Sequence, residues 1–123
     1  MREITVTNKV EAALCPIRNV IAKVTGKWQI LILLSLEDGP QRFNAVKRLI
    51  GDITQRVLTE NLRKLERDGY ITRTVSAGPP LAVTYELTDL GHSLVEQLIP
   101  LLDWSCEVFP QVEASRAQSD LGD

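Results

Sequence analysis

The stretch ITQRVLTENLRKLERD, residues 53–68, decides how this chain is read. Thr54 stands where a helix N-cap belongs, no Gly or Pro interrupts the run, and Gly69 follows as a stop. On a 3.6-residue period Thr54, Leu58, Asn61, Leu62 and Leu65 gather on one face. Arg56, Thr59, Glu60, Arg63 and Arg67 fall on the opposite face. Such a helix is about 22 Å long at about 1.5 Å per residue. One side is an apolar stripe that must pack. The other is basic, with hydroxyl and amide groups near its N-terminus. Cations neutralise phosphates, and Thr, Gln and Arg near a helix N-terminus reach base edges, so the pattern suits a DNA major groove. The competing reading is an amphipathic helix with a solvated charged face. The neighbouring sequence decides between them.

Immediately upstream, residues 42–50 (RFNAVKRLI) read as a short helix with Phe43, Val46, Leu49 and Ile50 inward and Lys47 and Arg48 outward. Gly51-Asp52-Ile53 is a tight turn, with Ile53 placed to plug the angle between the helices. Two helices joined by a three-residue turn containing Gly form the helix-turn-helix signature. Before them, Glu37-Asp38-Gly39-Pro40 is a clear break. Residues 27–36 (KWQILILLSL) are apolar nearly all round. Their length and Leu content favour a helix over a buried strand, and at about ten residues the run is too short to cross a membrane. A helix of this kind needs cover on several sides, from the terminal helices or from a second subunit. Cys15-Pro16 is expected to open the first helix, with Ile17, Val20, Ile21 and Val24 on one face and Gly26 at its end.

Downstream of Gly69 the period changes to two. Residues 70–75 and 81–87 read as strands around a Ser76-Ala77-Gly78-Pro79-Pro80 turn. A helix-turn-helix followed at once by a hairpin is a winged helix, with Thr72, Arg73 and Thr74 available to phosphates or a minor groove. Thr88 is the expected N-cap of a last helix carrying two adjacent apolar stripes. Leu90, Leu94, Leu98 and Leu101 form one; Val95, Ile99, Leu102, Cys106 and Phe109 form the other. One stripe closes the core, and the surplus stripe calls for a partner helix. Pro100 is expected to kink or split this helix. The fold class is therefore mainly α with a small β-wing. The expected divisions are an N-terminal arm at 1–14, the winged domain with its dimerisation helices at 15–109, and a disordered tail at 110–123.

A chain of 123 residues supports one well-cored domain, and its 44% hydrophobic and 24% charged residues are ordinary for a globular protein. The net charge of −2 hides an asymmetry: residues 41–75 hold eight basic and four acidic side chains, a local +4 against −6 elsewhere. A basic middle between acidic ends suits binding to a polyanion through one surface. Cys15, Cys106 and the single His92 lack metal-site spacing, so no metal or cofactor is expected, and His92 reads as a surface residue. No phosphate-cradling loop, nucleophile elbow or carboxylate pair stands out, so no enzyme is expected. Without a leading apolar signal or a run of about 18 apolar residues, a cytoplasmic protein with reduced thiols and no membrane partner is expected.

Four landmarks in order carry a family resemblance. They are Cys15-Pro16 with Gly26-Lys27-Trp28, and Asp38-Gly39-Pro40 with Arg42-Phe43-Asn44. Next comes Ile53-Thr54 with Leu58-Thr59, Leu62-Arg63-Lys64-Leu65-Glu66 and Asp68-Gly69. The last is Tyr85-Glu86-Leu87-Thr88 with Leu90-Gly91. Over roughly residues 15–105 the chain resembles the HxlR-type winged helix-turn-helix regulators of bacteria and archaea, relatives of the MarR class. The resemblance implies a homodimeric transcription regulator, with repression the commoner outcome, that binds double-stranded promoter DNA. It places Thr54, Gln55, Arg56, Thr59 and Arg63 at the groove, Arg73 on the wing, and Arg42 and Lys47 at phosphates. Glu60 would accept from a cytosine or pair with Lys64. Ile17, Leu98, Leu102, Trp104 and Cys106 fall at the implied dimer interface. Cys15 matches a cysteine through which some members sense oxidants, and a helix N-terminus there would favour thiolate. The other reading is a small semi-buried residue. A Cys15–Cys106 bridge between subunits, and a small-molecule effector near Trp28 and Trp104, are further options. Because folds host several functions, a winged-helix module that binds protein instead of DNA is the alternative from a different class.

Overall fold

The computed structural model describes residues 6–122, with side chains from Lys9 onward. The chain begins with a helical run: α1 (Val6–Pro16), a π-helical turn (Ile17–Ile21) and α2 (Ala22–Val24). Pro16 does not open this run, as expected from the sequence, but lies inside it. Proline lacks an N–H and crowds the preceding turn, and the adjoining π turn is where the hydrogen-bond ladder changes register. The side chain of Asn19 helps there, its Nδ2 donating to the Cys15 carbonyl at 2.9 Å. The arm expected over 1–14 is thus helical from Val6; its first five residues lie outside the described residues.

α3 (Lys27–Ser35) follows, capped by Gly26, and it is the central element of the core. Ile32 and Leu33, with Leu36 just beyond, are buried, and Trp28, Ile30 and Leu34 are half-buried against the same cluster. β1 (Gln41–Arg42) leads directly into α4 (Phe43–Ile50). Within α4 Val46 is fully buried, but Leu49, expected inward, is 62% exposed. Counting about 100° per residue, Phe43, Val46 and Ile50 share an arc of about 60°; Leu49 lies about 60° beyond one edge, and Lys47 only about 40° beyond the other. Accordingly Lys47 is half-buried.

Gly51 closes α4 at φ +96°, a conformation that a side chain disfavours, and its N–H donates to the Lys47 carbonyl at 2.9 Å. Ile53, buried beside the turn, holds the angle to α5 (Gln55–Arg67). Thr54 caps α5, its Oγ1 accepting from the Val57 N–H at 3.2 Å. Leu58, Asn61, Leu62 and Leu65 face the core as the periodicity requires.

β2 (Ile71–Val75) and β3 (Val83–Leu87) form the expected hairpin. A third strand was not expected: β1 pairs antiparallel with β3, giving the order β1-β3-β2. One row across the sheet is Gln41, Tyr85 and Arg73; the next is Arg42, Thr84 and Thr74.

α6 (Asp89–Gly122) is anchored by Thr88. The Thr88 Oγ1 accepts from the Gly91 N–H at 3.0 Å and donates to the Gly69 carbonyl at 2.6 Å. Its own N–H donates to the Tyr70 carbonyl at 3.1 Å. Gly91 is buried against this corner. A Cβ there would overlap the Tyr70 carbonyl oxygen and lie 3.1 Å from Leu87 Cδ2. Val95 and Leu98 then complete the core.

Two expectations for this helix are corrected. Of the kink or split expected at Pro100, the split is excluded, because helical structure continues through Pro100 and Pro110; nor does the helix end at Phe109, but extends to Gly122. Glu, Ala, Arg and Gln dominate residues 111–118, and good helix formers extend an existing helix at little cost without an apolar face. Leu98, expected at a dimer interface, is only 4% exposed and belongs to the chain's own core.

Candidate nucleic-acid interface

The outward face of α5 is a cationic ridge on a packed, N-capped helix. Burial of Leu58, Leu62 and Leu65 turns Gln55, Arg56, Glu60 and Arg63 to solvent, and Thr59 is half-buried. Gln55, Arg56, Thr59, Glu60 and Arg63 line a single shallow groove of about 460 Å3. Four of the residues anticipated at a groove are therefore brought together. The Thr59 hydroxyl donates to the Gln55 carbonyl at 2.8 Å, which leaves its oxygen free to accept. Thr54, the fifth, is exposed at the helix start, with its Oγ1 engaged in the cap.

Arg56 is not free. Its Nε lies 3.1 Å from Glu60 Oε1, so Glu60 pairs one turn back with Arg56 and not forward with Lys64. The two side chains are 88% and 50% exposed, a solvent-screened pair of small stabilising value. Its consequence is electrostatic. Glu60 subtracts a charge from the middle of the ridge and holds the guanidinium along the helix.

A second basic patch adjoins α5. Asn44, Lys47, Arg48 and Gly51 line one shallow groove, and Arg42, Asn44, Arg48 and Thr84 share another. Arg42 and Lys47 were anticipated; Asn44 and Arg48 were not. Their signal was present in the spacing, since residues 44 and 48 stand one turn apart on the face opposite Val46. Arg42 owes its position to β1, where it pairs with Thr84 beside the wing. On the other side of β3, Thr72, Arg73 and Thr74 are exposed along β2. The sheet thus links the wing to the helix-turn-helix through β1, with Thr74 in the row of Arg42 and Arg73 in the neighbouring row of Tyr85.

The remaining candidates lie elsewhere. Cys15 and Cys106 are free, exposed thiols. Cys15 stands near the end of α1, not at a helix N-terminus, so the dipole argument for its reactivity does not apply. Its one polar neighbour among the described residues is Asn19, whose Nδ2 approaches Sγ to 3.1 Å. His92 is exposed on α6, and no cluster of metal-ligating side chains is found among the described residues. Trp28 is half-buried, with Lys27 Nζ 4.4 Å from its ring centroid, and Trp104 is exposed. A cavity of about 390 Å3 lined by Lys23, Gln29, Lys64 and Arg67 involves neither tryptophan. Among the described residues no helix is long and apolar enough to cross a membrane.

Comparison with known proteins agrees with this architecture. The HTH-type transcriptional regulator YtfH of Escherichia coli (strain K12) is 38% identical over 102 residues, which cover 83% of this chain and 81% of that protein. The solved structure of the transcriptional regulator ytfH from Salmonella typhimurium superposes with a TM-score of 0.75 at 36% identity, covering 94% of this chain and 99% of that one. The redox regulator HypR in its reduced form gives a TM-score of 0.75 at 33% identity, covering 80% of this chain and 98% of that one. Residues 23–113 match the family model described as HxlR-like helix-turn-helix. The chain is a winged helix-turn-helix transcriptional regulator and belongs to the HxlR-like family.

Proposed function

We propose that the chain binds DNA sequence-specifically as a homodimer and represses transcription by occupying a promoter. The observation that carries this reading is the convergence of Gln55, Arg56, Thr59 and Arg63 on the outer face of one N-capped helix. α5 enters the major groove with Gln55, Arg56, Thr59 and Arg63 toward base edges and Thr54 at its entry. Arg42, Lys47 and Arg48 hold phosphates on one side, and Arg73 reaches the backbone from the wing.

Two subunits join through the surfaces that the domain leaves uncovered. Leu14, Ile17, Val20 and Ile21 are exposed on the first helical run, and Leu101, Trp104 and Phe109 on α6. Both sets are apolar, and a symmetric pairing of these helices covers them. Leu102, half-buried at the edge of the core, adjoins this surface, and Cys106 is exposed within it. The exposed Cys15 thiol and the likeness to a redox regulator favour a thiol-responsive member. Oxidation there would bridge Cys15 to Cys106 of the second subunit, two thiols giving up two protons and two electrons to an oxidant such as diamide.

The test is fluorescence anisotropy with a duplex selected by the protein from a random library, at two salt concentrations and against unrelated competitor. Binding that survives competitor and weakens steeply with salt is expected. Arg63→Ala is expected to cost about 1–3 kcal/mol on the selected duplex if it reads a base. Failure to bind any duplex at low salt would reject the reading in favour of a protein-binding module.

A further inference from the structure

Asn61 is the buried polar residue of the core among the described residues. It sits on α5 amid Leu58, Leu62 and Leu65, on the face opposite the groove residues that flank it in the chain. Its Nδ2 donates to the Val57 carbonyl at 2.8 Å, and its Oδ1 accepts from Gln29 Nε2 in the first turn of α3. The other buried residues of the two helices are apolar, Ile32 and Leu33 on α3 and Leu58, Leu62 and Leu65 on α5, all within one core cluster. Apolar packing tolerates small rotations; a hydrogen bond between two side-chain amides is directional.

Gly26 completes the arrangement. Its φ of −68° and ψ of 156° are open to any residue, so backbone freedom does not require glycine here. Space does: a Cβ would overlap Gln29 Oε1 and lie 3.0 Å from Gln29 Cδ. The amide folds back over the helix start only because no side chain stands there.

We propose that the Gln29–Asn61 bridge, seated over Gly26, fixes the roll of α5 about its own axis and makes Gln29 and Asn61 positioning residues for base reading. This rests on the DNA-binding reading above. A roll of about 20° moves a side-chain tip about 5–6 Å from the axis by about 2 Å, enough to break a base contact. Phosphate contacts from long, flexible cations follow such a shift; contacts to base edges do not. The bridge therefore governs discrimination between sequences more than overall affinity.

The experiment uses the full chain and a duplex selected by the wild type from a random library, with an unrelated duplex as reference. Replacing both amides by apolar groups, Gln29→Leu with Asn61→Leu, leaves no unpaired polar atom, so the fold is expected to keep its thermal stability. The ratio of selected to unrelated affinity is expected to fall about tenfold or more, the scale of one well-formed base contact, with binding to the unrelated duplex unchanged. Gly26→Ala retains both amides but displaces Gln29, and a smaller fall in the same ratio is expected. It serves as the deciding variant if the double substitution does not fold. Undiminished discrimination in a folded variant overturns the proposal while leaving DNA binding standing. A wild type that selects no duplex overturns both.

Discussion

Replacing Gly91 by alanine separates local propensity from tertiary packing, because the two have opposite signs at this position. Gly91 lies in the first turn of α6, where Ala is favoured over Gly by up to about 1 kcal/mol on helix propensity. Its new methyl would overlap the Tyr70 carbonyl oxygen, a backbone atom that cannot swing aside, and would crowd Leu87 Cδ2 at 3.1 Å. Inserting a methyl into such a corner costs about 1–3 kcal/mol. The displacement also strains the Thr88 N–H to Tyr70 bond of 3.1 Å and the Thr88 Oγ1 to Gly69 bond of 2.6 Å, each worth about 1 kcal/mol. The net expectation is a loss of about 2–3 kcal/mol, or roughly 10 °C in Tm for a domain of this size. Urea denaturation followed by circular dichroism measures it. An unchanged or raised midpoint would refute the close approach of α6 to Tyr70 and Leu87 and the reasoning built on it.

Other substitutions test other links. Glu60→Gln releases Arg56 from its 3.1 Å ion pair; stability should change by less than about 0.5 kcal/mol, while the salt dependence of DNA binding should steepen by about one counterion per subunit. An unchanged slope would take the pair off the interface. Trp104→Asp with Phe109→Asp places charges on the exposed face of α6; under the proposed pairing, sedimentation velocity should show a dimer for the wild type and a monomer for the variant, and a wild-type monomer would refute the pairing. Leu98→Ala should act on the chain's own core, lowering urea stability by about 2–5 kcal/mol. Gly51→Ala forces a side chain into φ +96° and should cost about 1–3 kcal/mol in the same assay; a neutral result would mean the turn adopts another conformation.

The elements legible in the sequence are those fixed by local signals. Thr54, the Leu58–Leu62–Leu65 stripe and Gly69 mark α5 because cap, period and stop are short-range properties. β1 has no such signal: Gln41 and Arg42 are a strand only because β3 arrives beside them from more than forty residues away. Pro16 illustrates an ambiguity, since proline fits a first turn but also sits inside a helix that locally changes to π geometry. Residues 110–122 carry no apolar period because this helix end covers no core, so helix propensity is the only local signal they offer. Of the candidate site, Gln55 joined through the family resemblance, while helical periodicity placed Arg56, Thr59 and Arg63 together. It left undetermined that Glu60 turns toward Arg56, a choice among side-chain rotamers that spacing alone does not settle.

The uncovered second half of α6 has a bearing on how the molecule acquires its shape. A lone helix of about twenty residues in water hovers between helix and coil, since propagation gains little without packing. From Asp103 to Gly122 every residue but Val108 is exposed, and none of them belongs to the core cluster of the domain. If the proposed dimer covers that stretch, its ordering is a bimolecular event. Ellipticity at 222 nm should fall on dilution while the near-ultraviolet signal of the half-buried Trp28 persists. On that reading the winged domain, with the first half of α6 in its core, is folded at any concentration, and only the second half of the helix depends on the second subunit.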